Sequence, residues 1–149
     1  MVRHNPMQTL QERAEQATRE ALQRLSELIS ACRESESRLG LLQRYRDEYR
    51  AKLEAATRKG VSALELANFR NFLAKLDEAI AQQRADVAHR QAAVMRGRAD
   101  WQEAERRARS YEVLLERRAE AARTHALRAE QKQTDEYAAR LAAAAPRRI

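Results

Sequence analysis

A chain of 149 residues is long enough for one compact domain, but 3 Gly, 2 Pro, 5% aromatic and 34% charged residues exclude a globule of many short elements. Charge is 29 Lys plus Arg against 22 Asp plus Glu, a net of +7; acids are interleaved with the arginines, which argues for a solvated helix surface rather than a phosphate-binding stripe. A single cysteine, Cys32, excludes an intramolecular disulfide framework, and no stretch stays apolar for the ~20 residues that a membrane span needs.

The first helix is expected over residues 6–58. Asn5 can cap it, and Pro6 suits the first helical position, where its missing N–H costs nothing. Packable residues then recur every three or four positions through Leu10, Ala14, Ala17, Ala21, Leu25, Leu28, Cys32, Leu39, Leu42, Tyr49, Leu53 and Ala56, with Ser35 and Arg46 breaking the stripe. That spacing is a coiled-coil seam, with an irregularity of the stutter type expected around Ala21 to Leu28. On the outer face, pairs such as Glu34 with Arg38 and Glu54 with Arg58 are spaced to support the helix.

A turn is expected at residues 59–62. Gly60 can take the left-handed conformation that ends helices, and Arg58 and Lys59 stand at the negative end of the helix dipole. Ser62 to Glu65 reads as a capping box, so a new helix starts at once. Stop and start signals this close together specify a helical hairpin.

The second helix is expected over 63–143. Its heptad series runs through Leu66, Phe69, Leu73, Leu76, Ile80, Gln83, Val87, Arg90, Val94, Gly97, Trp101, Ala104, Ala108, Tyr111 and Leu115, then weakens. A helix of ~80 residues outruns one of ~50 by a wide margin. Leu10 should therefore lie opposite the neighbourhood of Trp101 to Tyr111, leaving the C-terminal turns unpaired and available for docking. The last few residues, after Pro146, are expected to be a disordered tail. The predicted fold is all-α: one long antiparallel two-stranded coiled-coil hairpin in a single domain spanning 1–149.

No sequence constellation points to catalysis. Gly40, Gly60 and Gly97 are far apart and form no phosphate-binding loop, and no Walker sequence is present. His4, His89 and His125 have no i, i+4 partner of the kind that a helical metal site uses. No cofactor, metal or enzymatic activity is expected. Cys32 and Trp101 fall in the seam and read as packing residues. Near the turn there are more large apolar groups than a two-stranded seam can bury. Leu42, Tyr45 and Tyr49 share one face of the first helix, and Phe72, Leu76 and Ala79 follow similar spacing on the second. Part of this surface should face outward, the alternative being a wider core near the turn.

These residues also carry a family resemblance. Leu42-Gln43-Arg44-Tyr45-Arg46-Asp47-Glu48-Tyr49-Arg50 resembles the Tyr-x-x-Glu-Tyr-Arg region of FliJ proteins. Asn68-Phe69-Arg70-Asn71-Phe72-Leu73-Ala74-Lys75-Leu76-Asp77-Glu78-Ala79-Ile80 resembles the family's aromatic helix. Trp101, Leu115-Glu116-Arg117 and Gln131-Lys132-Gln133-Thr134-Asp135-Glu136-Tyr137-Ala138 are similar to its later landmarks.

The resemblance implies a component of the flagellar type III export apparatus, a non-enzymatic stalk similar to the central shaft of rotary ATPases. It would bind the export ATPase ring, the cytoplasmic domain of the membrane export gate, and export chaperones. It would be monomeric when free and cytoplasmic, associated with the membrane only peripherally through partners, and would bind no nucleic acid. The implied gate-contacting residues are Leu42, Tyr45, Tyr49, Phe72, Leu76 and Ala79. Arg38 and Gln83 flank this set and depart from the Gln and His of some members. The implied ATPase-facing region is the two terminal arms, Leu10 to Leu28 with Trp101 to Leu127, represented by Leu10, Leu25, Leu28, Trp101, Tyr111 and Leu115. The alternatives are the equivalent stalk of a virulence-type secretion system and a basic coiled-coil protein that binds nucleic acid, whose affinity would fall steeply with salt.

Overall fold

The computed structural model describes residues 5–146; His4 and the expected tail beyond Pro146 lie outside the described residues. Two helices account for the fold, α1 (Pro6–Lys59) and α2 (Ala63–Ala144), and no strand occurs among the described residues. Asn5 caps α1: the Met7 N–H donates to Asn5 Oδ1 at 3.1 Å, and the Gln8 and Thr9 N–H groups donate to the Asn5 carbonyl. At the other end Gly60 takes φ of 92°, a conformation that a side chain would resist. The Glu65 N–H donates to Ser62 Oγ at 3.2 Å, starting α2 two residues after the stop.

Contacts divide the chain into two compact units. The larger, Ala17–Ala104, contains the turn and the adjoining lengths of both helices. Its strands of contact run antiparallel: Tyr49 meets Phe69 and Phe72, Arg46 approaches Asp77, Ser35 meets Gln83 and Asp86, and Gly97 lies against Leu28. The core is a seam built from Ala21, Leu25, Cys32, Leu76, Ile80 and Val87. Half-buried Leu39, Leu42, Tyr49, Leu53, Leu66, Phe69 and Leu73 continue it toward the turn. This is the all-α helical hairpin that the heptad spacing predicts.

Within this unit the seam departs from the expected slots in two places. Thr18 is half-buried while Ala17 is exposed. From Thr18 through Ala21, Leu25, Leu28 and Cys32 the steps then alternate in a regular heptad, and no stutter is needed. Arg90 is exposed, because its guanidinium reaches back to Asp86 rather than inward. Ser35 and Arg46, the polar residues at slots of the stripe, keep those slots: Ser35 is 3% exposed and Arg46 is half-buried.

Gly97 explains the tightest point. A Cβ at this position would lie 2.7 Å from Leu28 Cδ1 and 3.5 Å from Leu25 Cδ1. The missing side chain is the space that those two leucines fill.

The second unit joins residues 1–16 to 105–149. Its half-buried positions are Met7, Thr9, Gln11 and Ala14 on α1 and Glu105, Ala108, Tyr111 and Leu115 on α2. Leu10, expected in the seam, is turned outward, and Gln11 takes its place. Arg109 pairs with Glu105 one turn earlier. From Glu116 to Pro146 every residue is exposed, so the helix there draws its stability from propensity and local pairs such as Gln131 with Asp135.

Candidate partner-binding surface

The heptad of each helix places one flank beside the seam, and near the turn these flanks carry aromatics. On α1 the residues are Leu42, Tyr45 and Tyr49; on α2 they are Phe72, Leu76 and Ala79. Tyr49 joins the two sets. Its ring centroid lies 4.3 Å from that of Phe72 and 5.1 Å from that of Phe69, both tilted at nearly half a right angle. Such offset aromatic contacts add to simple burial and hold the rings in place.

Burial divides the six residues. Tyr45 is 51% exposed and Phe72 is 45% exposed, while Leu42, Tyr49 and Ala79 are half-buried. Leu76, at 9%, belongs to the core and supports the face from beneath. Large apolar side chains half in water on one side of a two-stranded hairpin form a ready docking face. The expectation that some of this cluster faces outward is met by Tyr45 and Phe72.

The polar flanks are anchored within the hairpin. Gln83, a seam slot by heptad spacing although the resemblance sets it beside the face, is turned into the seam and donates from Nε2 to Ser35 Oγ at 2.9 Å and to the Ser35 carbonyl at 3.0 Å. Ser35 Oγ in turn donates to Asp86 Oδ2 at 2.6 Å, and Arg90 Nε donates to the same oxygen at 3.0 Å. These donors hold the Asp86 carboxyl below the usual aspartate range, the Ser35 hydroxyl first and Arg90 next. Arg38 is exposed and paired with Glu34 at 2.9 Å.

Closer to the turn, Arg46 extends along the seam toward Asp77 at 4.0 Å and Asp47 at 3.6 Å, and Arg50 approaches Asp77 at 3.9 Å. Arg46 Nε is buried and has no hydrogen-bond acceptor among the described residues. The thiol of Cys32 is buried and donates to Glu36 Oε1 at 3.6 Å. Burial pushes the thiol up from its ordinary range and the neighbouring Glu36 carboxylate adds to this. Among the described residues, no group of three His, Cys, Asp or Glu is placed to hold a metal, and no helix is long and apolar enough to cross a membrane.

The terminal-arm residues fall in both units. Leu25 is buried, and Leu28 and Trp101 are half-buried, all within the larger unit. Tyr111 and Leu115 are half-buried in the smaller one, where Leu10 is exposed. Leu25 is therefore a packing residue rather than a free docking group.

The family model described as Flagellar FliJ protein matches residues 3–147. The chain belongs to the FliJ family. The Flagellar FliJ proteins of Salmonella typhi and of Escherichia coli (strain K12) are each 30% identical to it over 146 residues, which is 98% of this chain and 99% of each relative. FliJ membership thus covers both helices, the turn and the aromatic face, and makes this a flagellar protein.

The Ser35, Gln83 and Asp86 layer escaped the sequence reading, although a signal was present. Ser35 and Gln83 stand out as polar slots in otherwise apolar series, and counting outward from Gly60 sets Ser35 opposite the stretch from Gln83 to Asp86.

Proposed function

We propose that this chain is a non-enzymatic stalk of the flagellar protein export apparatus. It binds the cytoplasmic domain of the export gate through the aromatic face near its turn, the export ATPase ring through its terminal arms, and export chaperones that have released their cargo. The observation that carries the reading is FliJ family membership over nearly the whole chain. The exposed rings of Tyr45 and Phe72, held by Tyr49 and set over buried Leu76, support the gate contact. Aromatic anchors in a shallow apolar patch are the usual source of binding energy at such interfaces. The exposed length of α2 beyond Leu115 supports a second docking element, since a helix with no cover of its own is suited to lie in a partner's groove. In this role the protein couples the ATPase to the gate without hydrolysing ATP.

Titration calorimetry against the cytoplasmic domain of the gate from the same source tests the aromatic contact. Tyr45→Ala and Phe72→Ala should each weaken binding about tenfold or more, with circular dichroism unchanged. Undiminished binding by both variants would remove this face from the gate interface.

A further inference from the structure

The other flank of the larger unit carries a second apolar groove. Glu36 and Tyr45 lie about half a turn apart around α1, so this groove opens away from the aromatic face. Its volume is about 490 Å³, and its apolar lining is Ile29, Cys32 and Val94, with Met95 at the rim. Ile29 and Val94 are half-buried, Cys32 is buried, and Met95 is 71% exposed. A methionine left in water beside an open apolar cleft is an adaptable contact with nothing to cover it among the described residues.

The rim is cationic. Arg33 and Arg98 stand on opposite helices at its edges, both exposed, and neither has an ion-pair partner among the described residues. Between Asp86 and Asp100 α2 carries Arg90, Arg96 and Arg98 and no carboxylate. The one carboxylate at the groove, Glu36, already accepts from the Cys32 thiol and, at 3.5 Å, from Gln91 Nε2.

We infer that this groove is a second protein-docking site, whose occupant is an amphipathic helix bearing an apolar strip flanked by carboxylates. A cleft running between two parallel ridges of side chains suits a third helix laid along it. The unpaired arginines on both sides select acidic flanks and disfavour basic ones. The site is separate from the gate contact proposed above, so both surfaces can be engaged at once.

The test uses the full chain and two synthetic helical peptides of about 18 residues, each with leucines on one face. One carries glutamates beside the leucines and the other carries lysines at the same positions. Fluorescence anisotropy should show binding of the glutamate peptide alone. Met95→Glu and Arg98→Glu should each weaken it about tenfold or more, while Phe72→Ala leaves it unchanged. Arg33→Glu with Arg98→Glu should reverse the preference toward the lysine peptide. Equal binding of both peptides, no binding of either, or binding undiminished by Met95→Glu and Arg98→Glu would overturn the assignment. The last result would trace the attraction to the net positive charge of the chain. Met95 and both arginines are exposed, so the variants keep their helicity, which circular dichroism checks.

Discussion

Ser35 on α1 donates its hydroxyl proton to Asp86 on α2 across the seam, at 2.6 Å, and receives a hydrogen bond from Gln83 in the same layer. A buried hydroxyl in an otherwise apolar seam is tolerated only when it is fully partnered, and this one both donates and accepts. Ser35→Ala should therefore lower stability by about 1–2 kcal/mol in urea unfolding. Ser35→Leu combined with Gln83→Leu should recover part of that loss, since the two facing polar groups are replaced together and Asp86 keeps Arg90 as a donor.

The same layer gives the stability a dependence on acid. Asp86 has its folded-state pKa below the ordinary value of 3.8, because Ser35 and Arg90 donate to the charged form. A group whose pKa is lowered by folding stabilises the fold above its unfolded value and loses that contribution as pH falls through the folded one. Stability from this carboxylate should thus be complete near neutrality and decline below about pH 3.8. Asp86→Asn should flatten the acid limb of a plot of thermal midpoint against pH. An acid limb identical to that of the unmodified chain would show that Asp86 does not contribute to it.

Gly97 and Leu28 should be energetically coupled. Gly97→Ala gains up to about 1 kcal/mol of helix propensity, but its new methyl meets Leu28 Cδ1 at 2.7 Å. In a Leu28→Ala background that contact is gone. A double-mutant cycle should show Gly97→Ala more favourable in that background by roughly 0.5–2 kcal/mol. Zero coupling would mean that the leucine moves aside freely.

Phe72 and Leu76 stand one turn apart and should behave differently when truncated. Leu76→Ala opens a cavity in the seam and should cost about 2–5 kcal/mol, whereas half-exposed Phe72→Ala should cost only about 1 kcal/mol, mostly through its contact with Tyr49. Thermal melts followed by circular dichroism separate the two. A large loss for Phe72→Ala would indicate a wider core near the turn.

The turn offers a local check. Gly60→Ala forces a Cβ into a backbone at φ of 92° and should destabilise by about 1–2 kcal/mol, and Ser62→Ala should cost about 1 kcal/mol by removing the cap on the Glu65 N–H. Both are read from denaturant midpoints.

The hairpin was legible in the sequence because its signals are local. Asn5, Gly60 and Ser62 act on backbone groups within a few residues, and heptad spacing marks Ala21, Leu25, Ile80 and Val87 as core without knowledge of the partner helix. What sequence reading missed depends on the facing helix. Ser35 and Arg46 interrupt the apolar stripe when α1 is read alone, yet α2 supplies Gln83 and Asp86 to one and Asp77 to the other. Arg90 leaves its slot for the same reason, drawn to a carboxylate within its own helix. Ala17 and Thr18 are both small, so only the phase of the packed seam decides which of them is covered. At the candidate face, heptad spacing set Leu76 in the seam and left Tyr45 and Phe72 outside it, and burial on the hairpin agrees. How far each ring stands in water depends on the facing helix, which periodicity does not describe.

The measurement that tests the stalk role most directly is the ATP hydrolysis rate and hexamerisation of the flagellar export ATPase from the same source, with and without this protein. Both should rise when the chain is added, with no hydrolysis by the chain alone. No binding to the ATPase and no change in either quantity would contradict the stalk role.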